Sequence, residues 1–427
     1  MPVNTRPFVS LQSLKHCGWI ACLYFFQSLP YMVVATMAAL CYQHYGLGNA
    51  TATLLTSLFM LPWCIKPVFA PILEKQSNKK TNLLIIQGGL VSVVFLLALT
   101  TNSSFFLPLS IPAFLVLALL SSMNDILSDG LYLSHLPERE QKRYIGLRSG
   151  FYQLGRMTVK GGLLTLAVFL ASRTALPVWS LFFSLLTLLL VTFVLLHALF
   201  IPNGHQSLPV PQKTDLGLQA LFLQKKWHSP LFFIFIYNLT DAQIQKMLPL
   251  YLVDPQGMGL SLPQFGMLYG IFGSLALISG ISVAGYLSSR WGTSSCLKKL
   301  TFLMIPGHLC FFLMTHVHAH PLLWGFVLLG QLIAGLLSGA YMTYLLRVAN
   351  QSPYPMSMYT LCTSIMALSY IVFGALSGFI QHLMGYSGFF LAMLSASSFP
   401  LLNTCKMLRQ PLPMSPDQSG QGLRQSR

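Results

Sequence analysis

Apolar residues in this chain neither alternate with polar ones nor keep to one face of a helix; they fill long stretches separated by short polar ones. A bilayer core takes about 20 consecutive apolar residues per helix. Twelve stretches approach or exceed that length: 18–41, 52–73, 82–101, 106–136, 145–171, 177–200, 230–253, 264–288, 298–315, 322–346, 356–383 and 386–406. Backbone N–H and C=O groups find no partner in lipid, so each stretch must pair them internally as a helix. A membrane barrel would show polarity alternating over segments of about ten residues, a pattern the sequence lacks. The pattern predicts an all-α integral membrane protein with twelve transmembrane helices in two six-helix bundles. The longest interior polar stretch, 201–229, is rich in Pro, Gln and Lys and divides the helices six and six. The predicted domains are a bundle over 1–200, a cytoplasmic linker over 201–229, a second bundle over 230–408 and a cytoplasmic tail over 409–427.

Charge settles the orientation. The chain is 54% hydrophobic and 8% charged, where a soluble protein carries roughly 25% charged residues. Its net charge of +16 does not point to nucleic acid, because the basic residues sit in short connections between apolar stretches. One set of connections, together with the termini, holds twenty Lys and Arg; the alternate set holds only Arg173. Basic loops stay in the cytoplasm, which places both termini there, and an even helix count requires the same. The first apolar stretch reads as a retained helix, not a cleaved leader. The eight cysteines are scattered, without a C-x-x-C pair, so neither disulfides nor structural zinc are expected. His316, His318 and His320 read as a solvated loop, and no metal or cofactor is expected. No Walker A loop supports ATP-driven transport.

Ionisable side chains inside the bilayer are costly and mark function by default. Of nine acidic residues, Asp125, Asp129 and Asp241 fall well inside apolar stretches, as do the basic residues Lys66, Arg156, Lys160 and Lys246. At about 1.5 Å per residue, Asp125, Arg156 and Asp241 each lie roughly 17 to 20 Å in from the nearest loop, close to the middle of a core about 30 Å thick. Asp125 and Asp129 share one helix face, four residues apart. Arg148, Tyr152, Arg156 and Lys160 form a stripe along the next helix. The short connection makes the two faces neighbours, so Asp125 or Asp129 is expected to pair with Arg156 or Lys160. Structural salt bridges are the plainer reading, but buried pairs seldom add net stability, and seven such charges exceed what packing needs.

Two segments carry a faint internal duplication: APILEK ending at Glu74-Lys75, and GYLSSR from Gly285 to Arg290. Both resemble the cytoplasmic G-x-L-x-D-R-x-G loop of the major facilitator superfamily, with Glu74 and Ser289 where the acid is an Asp. Glu74, Lys75, Gly285 and Arg290 are the candidate cytoplasmic gate. Longer segments are similar to the AmpG-type muropeptide permeases of that superfamily: FFQSLPY (25–31), LPWCIKPVFAPILEK (61–75), NDILSDGLY (124–132), GFYQLGRM (150–157) and YNLTDAQ (237–243). The family's Asp-Ile-x-x-Asp falls on Asp125 and Asp129, and its later intramembrane Asp on Asp241. Gln331 stands where the resemblance leads one to expect an acid, and Asn238 and Thr240 depart from it as well.

The resemblance implies proton-driven import of N-acetylglucosaminyl-anhydromuramic acid and its peptides across a bacterial inner membrane by a monomer. Its partners would be an anionic small molecule, protons and lipid. Proton coupling would rest on Asp125, Asp129 or Asp241. Carboxylates of the cargo suit Arg156, Lys160, Lys66 and Lys246. Its sugar rings suit the aromatic Tyr31, Tyr152, Tyr237 and Tyr359, and its polar groups suit Gln27, Gln153 and Gln243. Two alternatives stand beside this reading: a transporter of another bulky anion, such as acyl-coenzyme A, a nucleotide or a peptide, and a membrane acyltransferase. The last would favour an intramembrane His beside an Asp or Asn, which His308 and His382 lack in sequence.

Overall fold

The computed structural model describes residues 11–74, 78–136, 138–202, 224–317, 320–352 and 355–408. Lys75, His318, most of the 201–229 linker and the 409–427 tail lie outside the described residues.

Helices run where apolar stretches were predicted. They are α1 (His16–His44), α2 (Asn49–Phe69), α3 (Lys79–Thr100), α4 (Phe106–His135), α5 (Gly146–Ala171) and α6 (Val178–Phe200). After the linker come α7, in two pieces (His228–Tyr237 and Asp241–Val253), then α8 (Leu262–Trp291), α9 (Thr293–His316) and α10 (Pro321–Asn350). The last run, Met358–Met407, is divided at Gly385, whose φ of 69° lies in the left-handed region open to glycine; its legs are α11 and α12. Ten helices among the described residues are long and apolar enough to cross a membrane. The broken α7 and the second leg of the last run account for the other two of the twelve predicted.

Local chemistry explains the interruptions. In α2, Pro62 and Pro67 each stand second in a new helical piece, where the missing N–H deprives the helix of nothing. In α7 the break falls at 238–240, and Pro249 lies inside the second piece. Asn238 fills the gap by donating to the Tyr341 hydroxyl at 3.1 Å and to Ser369 Oγ at 3.2 Å. Three helices also carry π-helical turns: Val33–Met37 in α1, Thr158–Leu163 in α5 and Gly266–Phe272 in α8. Such turns are frequent at functional sites.

The chain forms two compact units. The first comprises Met1–Val33, Ala70–Val159 and Leu166–Val210; the second comprises Val34–Phe69, Lys160–Thr165 and Pro211–Arg427. In the first, α1 packs along α5, and α3 packs on α4 and α6. Gly155 allows that approach, because a Cβ there would lie 2.6 Å from the Phe25 carbonyl oxygen. A buried polar chain ties α3 to its neighbours: Gln87 donates to Asn124 at 3.0 Å and meets His197 Nδ1 at 2.9 Å. In the second unit α8 packs on α10, and the first piece of α2 packs on α11. Its core gathers Trp227, Phe233, Tyr237, Leu297, Tyr341 and Tyr344.

Candidate functional site

Within the first unit, α4 and α5 are neighbours and bring opposite charges together. Asp129 Oδ1 lies 2.9 Å from Arg148 Nη2 and accepts the Tyr24 hydroxyl at 2.8 Å. The Arg148 guanidinium sits 4.4 Å from the centre of the Tyr24 ring and 5.6 Å from that of Tyr132. The partner of Asp129 is thus the first residue of the basic stripe, not Arg156 or Lys160 as expected from sequence. Arg156 is eight residues further on, about 12 Å along the axis. Lys160 lies beyond the start of the π turn and belongs to the second unit.

Arg156 is left with an amide for company. Among the described residues its only hydrogen bond goes from Nη1 to Gln153 Oε1 at 3.2 Å, and Nε has no partner. Tyr152 lies within electrostatic reach of both Asp125 and Arg156, with its ring centre 6.3 Å from that of Tyr31. Asp125 is buried. Gln27, one turn before Tyr31 on α1, is buried too, and its side-chain oxygen has no partner among the described residues. The first unit therefore gathers Tyr31, Asp125, Tyr152, Gln153 and Arg156, all named from sequence, with Gln27 one helical turn from Tyr31.

The second unit holds another polar cluster. Asp241 opens the second piece of α7, is buried, and accepts the Tyr370 hydroxyl at 3.3 Å. One turn along, Gln245 Oε1 accepts the Tyr269 hydroxyl at 3.5 Å and Gln331 Nε2 at 3.4 Å. Lys160 Nζ lies 4.6 Å from the centre of the Tyr269 ring, within cation–π range. Lys246 is half-buried beside Gly374 and has no hydrogen bond or ion pair among the described residues. Gln245, Tyr269 and Tyr370 were not candidates from sequence, and Gln331 stood out only as a departure from the resemblance; the one-turn spacing of Gln245 from Asp241 is the further signal.

Residues 20–370 match the family model described as Major Facilitator Superfamily. The chain belongs to the major facilitator superfamily. Among members of known sequence, it is 22% identical over 395 residues to the putative transporter AmpG 2 of Rickettsia felis, covering 90% of this chain and 93% of that one. It is 21% identical over 361 residues to the putative transporter AmpG 1 of Rickettsia bellii, covering 79% and 85%. Its fold matches a bacterial homologue of the human lysosomal transporter Spinster, with a TM-score of 0.71, 14% identity and coverage of 94% of this chain and 98% of that one. It also matches the nucleoside transporter NupG, with a TM-score of 0.69, 15% identity and coverage of 92% and 99%. The protein is a multi-pass membrane transporter of this superfamily and not an enzyme.

The remaining candidates distribute unevenly on the superfamily frame. Gln243 is buried and turns its amide to Leu239 of its own helix at 2.9 Å. Tyr237 lies in the second unit's core, stacked 4.8 Å from Tyr341 with the rings 4° apart, its hydroxyl 3.3 Å from Thr301. It also lies within electrostatic reach of Asp241. Tyr359 is exposed, and Lys66 is half-buried at the head of the last piece of α2. Of the gate residues, Gly285 has open space about it, and Arg290 is exposed over the Tyr286 ring at 5.0 Å. Lys75 and the Glu74 side chain lie outside what is described.

Proposed function

We propose that this transporter couples proton entry to the import of cell-wall recycling products, N-acetylglucosaminyl-anhydromuramic acid and its peptides, by alternating access across a bacterial inner membrane. Both termini face the cytoplasm, and the chain acts as a monomer. The observation that carries this reading is Arg156, a cation deep in the predicted membrane core whose only bonded neighbour among the described residues is an amide. A half-buried cation at that depth is costly and is suited to an anionic cargo, whose carboxylate would complete it through a charge-assisted pair. Lys246 stands in the same condition in the second unit. Tyr31 and Tyr152 offer ring faces to sugars, and Gln27 offers a buried acceptor without a partner among the described residues. Asp241 is assigned the proton: among the described residues its hydrogen-bond partners are the Tyr370 hydroxyl and the Gln245 amide and not a cation, and coupling requires a carboxylate that can be charged in one state and neutral in another. The loop motifs make Glu74 and Lys75, and in the second half Gly285 and Arg290, the candidates for the cytoplasmic gate.

Membrane vesicles carrying the protein test the reading. Acidifying the outside should drive accumulation of labelled anhydro-disaccharide, and a protonophore should abolish it. Accumulation of an acyl-coenzyme A compound in place of the disaccharide would reassign the cargo. Disaccharide uptake indifferent to the gradient would remove Asp241 from its role.

A further inference from the structure

A carboxylate that no sequence motif singled out organises one end of the second unit. Asp254 closes the second piece of α7, and the turn after it holds the residue rigidly. Its carbonyl accepts the Gly257 and Gly259 N–H groups at 2.8 and 2.9 Å, and its Oδ1 accepts the Gln256 N–H at 2.9 Å. Oδ2 is thereby aimed at three other segments. It accepts the Tyr386 hydroxyl at 2.5 Å, Gln43 Nε2 at 3.2 Å and Asn49 Nδ2 at 3.4 Å. Asn49 shares its amide hydrogens with the Tyr386 hydroxyl at 2.7 Å and Gln381 Oε1 at 3.2 Å. The ends of α1 and α2 are thus tied to α7, α11 and α12 through one anion. No cation among the described residues pairs with it, so every bond in the cluster comes from a neutral donor that water can replace.

Below the cluster, the seam between α2 and α11 is backbone-tight. A Cβ on Gly378 would lie 2.5 Å from the Asn49 carbonyl oxygen and 2.6 Å from Ala50 Cα, and one on Gly374 would lie 3.1 Å from Ser57 Oγ. A seam of bare glycine backbone, closed at its rim by exchangeable hydrogen bonds, has the construction of a contact meant to part. The connections at this end belong to the set without basic residues, apart from Arg173, which faces them outward on the orientation proposed above. We propose that Asp254 is the positioning residue of the outer gate: it clamps α1 and α2 onto α7 and α11, and its release opens this end during the transport cycle.

Hydrogen–deuterium exchange on the full chain tests this without any cargo, so its outcome is separate from the choice of substrate. In Asp254→Asn, amides of 49–58 and 376–386 should exchange at least tenfold faster than in the wild type. Amides around 288–301, at the far end of the 30-residue α8, should exchange more slowly as the population shifts toward the opposite closure. Gly378→Val, which wedges the seam without touching the carboxylate, should reproduce both changes. Faster exchange at 49–58 and 376–386 with no slowing at 288–301 would reduce Asp254 to local packing and overturn the proposal, as would wild-type exchange in both variants. If either variant loses protection throughout, Tyr386→Phe decides. It deletes one hydroxyl, and the paired change supports the gate while wild-type exchange refutes it.

Discussion

Two arginines on one helix face make opposite predictions. Arg148 is paired with Asp129 and covered by two tyrosine rings. Replacing it with Gln strands a carboxylate, so Arg148→Gln should lower the thermal unfolding temperature in detergent by several degrees. Arg156 pairs with no carboxylate among the described residues. Arg156→Gln should leave the unfolding temperature within a degree or two of wild type while cutting cargo uptake by at least tenfold. Equal loss of stability in both variants would show that Arg156 is structural. Tyr237 supplies a third contrast: Tyr237→Phe loses one hydroxyl contact and should transport normally. Tyr237→Ala should cost about 3–5 kcal/mol, the usual range for emptying a buried aromatic site, read as a fall in chemical unfolding midpoint.

Among the elements, the helices were legible and their irregularities were not. Unbroken apolar runs mark α1 to α12 because lipid demands the same of every residue facing it. The break in α7 comes instead from Asn238 reaching Tyr341 and Ser369, partners more than a hundred residues away that no local pattern encodes. Proline marks the interruptions in α2, where it starts new pieces, and does not mark the one in α7, where Pro249 lies inside the second piece. Half of the candidate site was legible for a related reason. A charge in lipid announces itself, so Asp125, Arg156 and Asp241 stood out, whereas Gln245, Tyr269 and Tyr370 are ordinary until the fold places them together. Asp254 lies one residue past the apolar stretch 230–253, where a charge does not stand out. Glycines of α5 and α8 make one crossing backbone-close. A Cβ on Gly270 would lie 2.8 Å from Gly161 Cα. Gly270→Ala should therefore cost about 1–3 kcal/mol through overpacking, whereas Gly285→Ala, with open space around it, should not move the unfolding midpoint.

For the whole molecule, the loop charges make the firmest forecast. With twenty basic residues assigned to one face and Arg173 alone to the other, a reporter active only outside the cytoplasm should be silent when fused after residue 408. It should be active when inserted at 45–48 or 254–261. Activity at the C-terminus would invert the proposed orientation and turn the Asp254 clamp into an inner gate. One local feature bears on how such a molecule could have been built. A π turn accommodates one residue more than the α-helical geometry around it, so the stretch Thr158–Leu163 has the form of a tolerated single-codon insertion. Excising one residue there should return the stretch to plain α-helical geometry and leave the distal portion of α5 facing as it does now, while the residues inside the turn lose their present places. The ammonium of Lys160 and the bare backbone of Gly161 would then no longer meet Tyr269 and Gly270, and the helix would survive as a structure while losing its purpose.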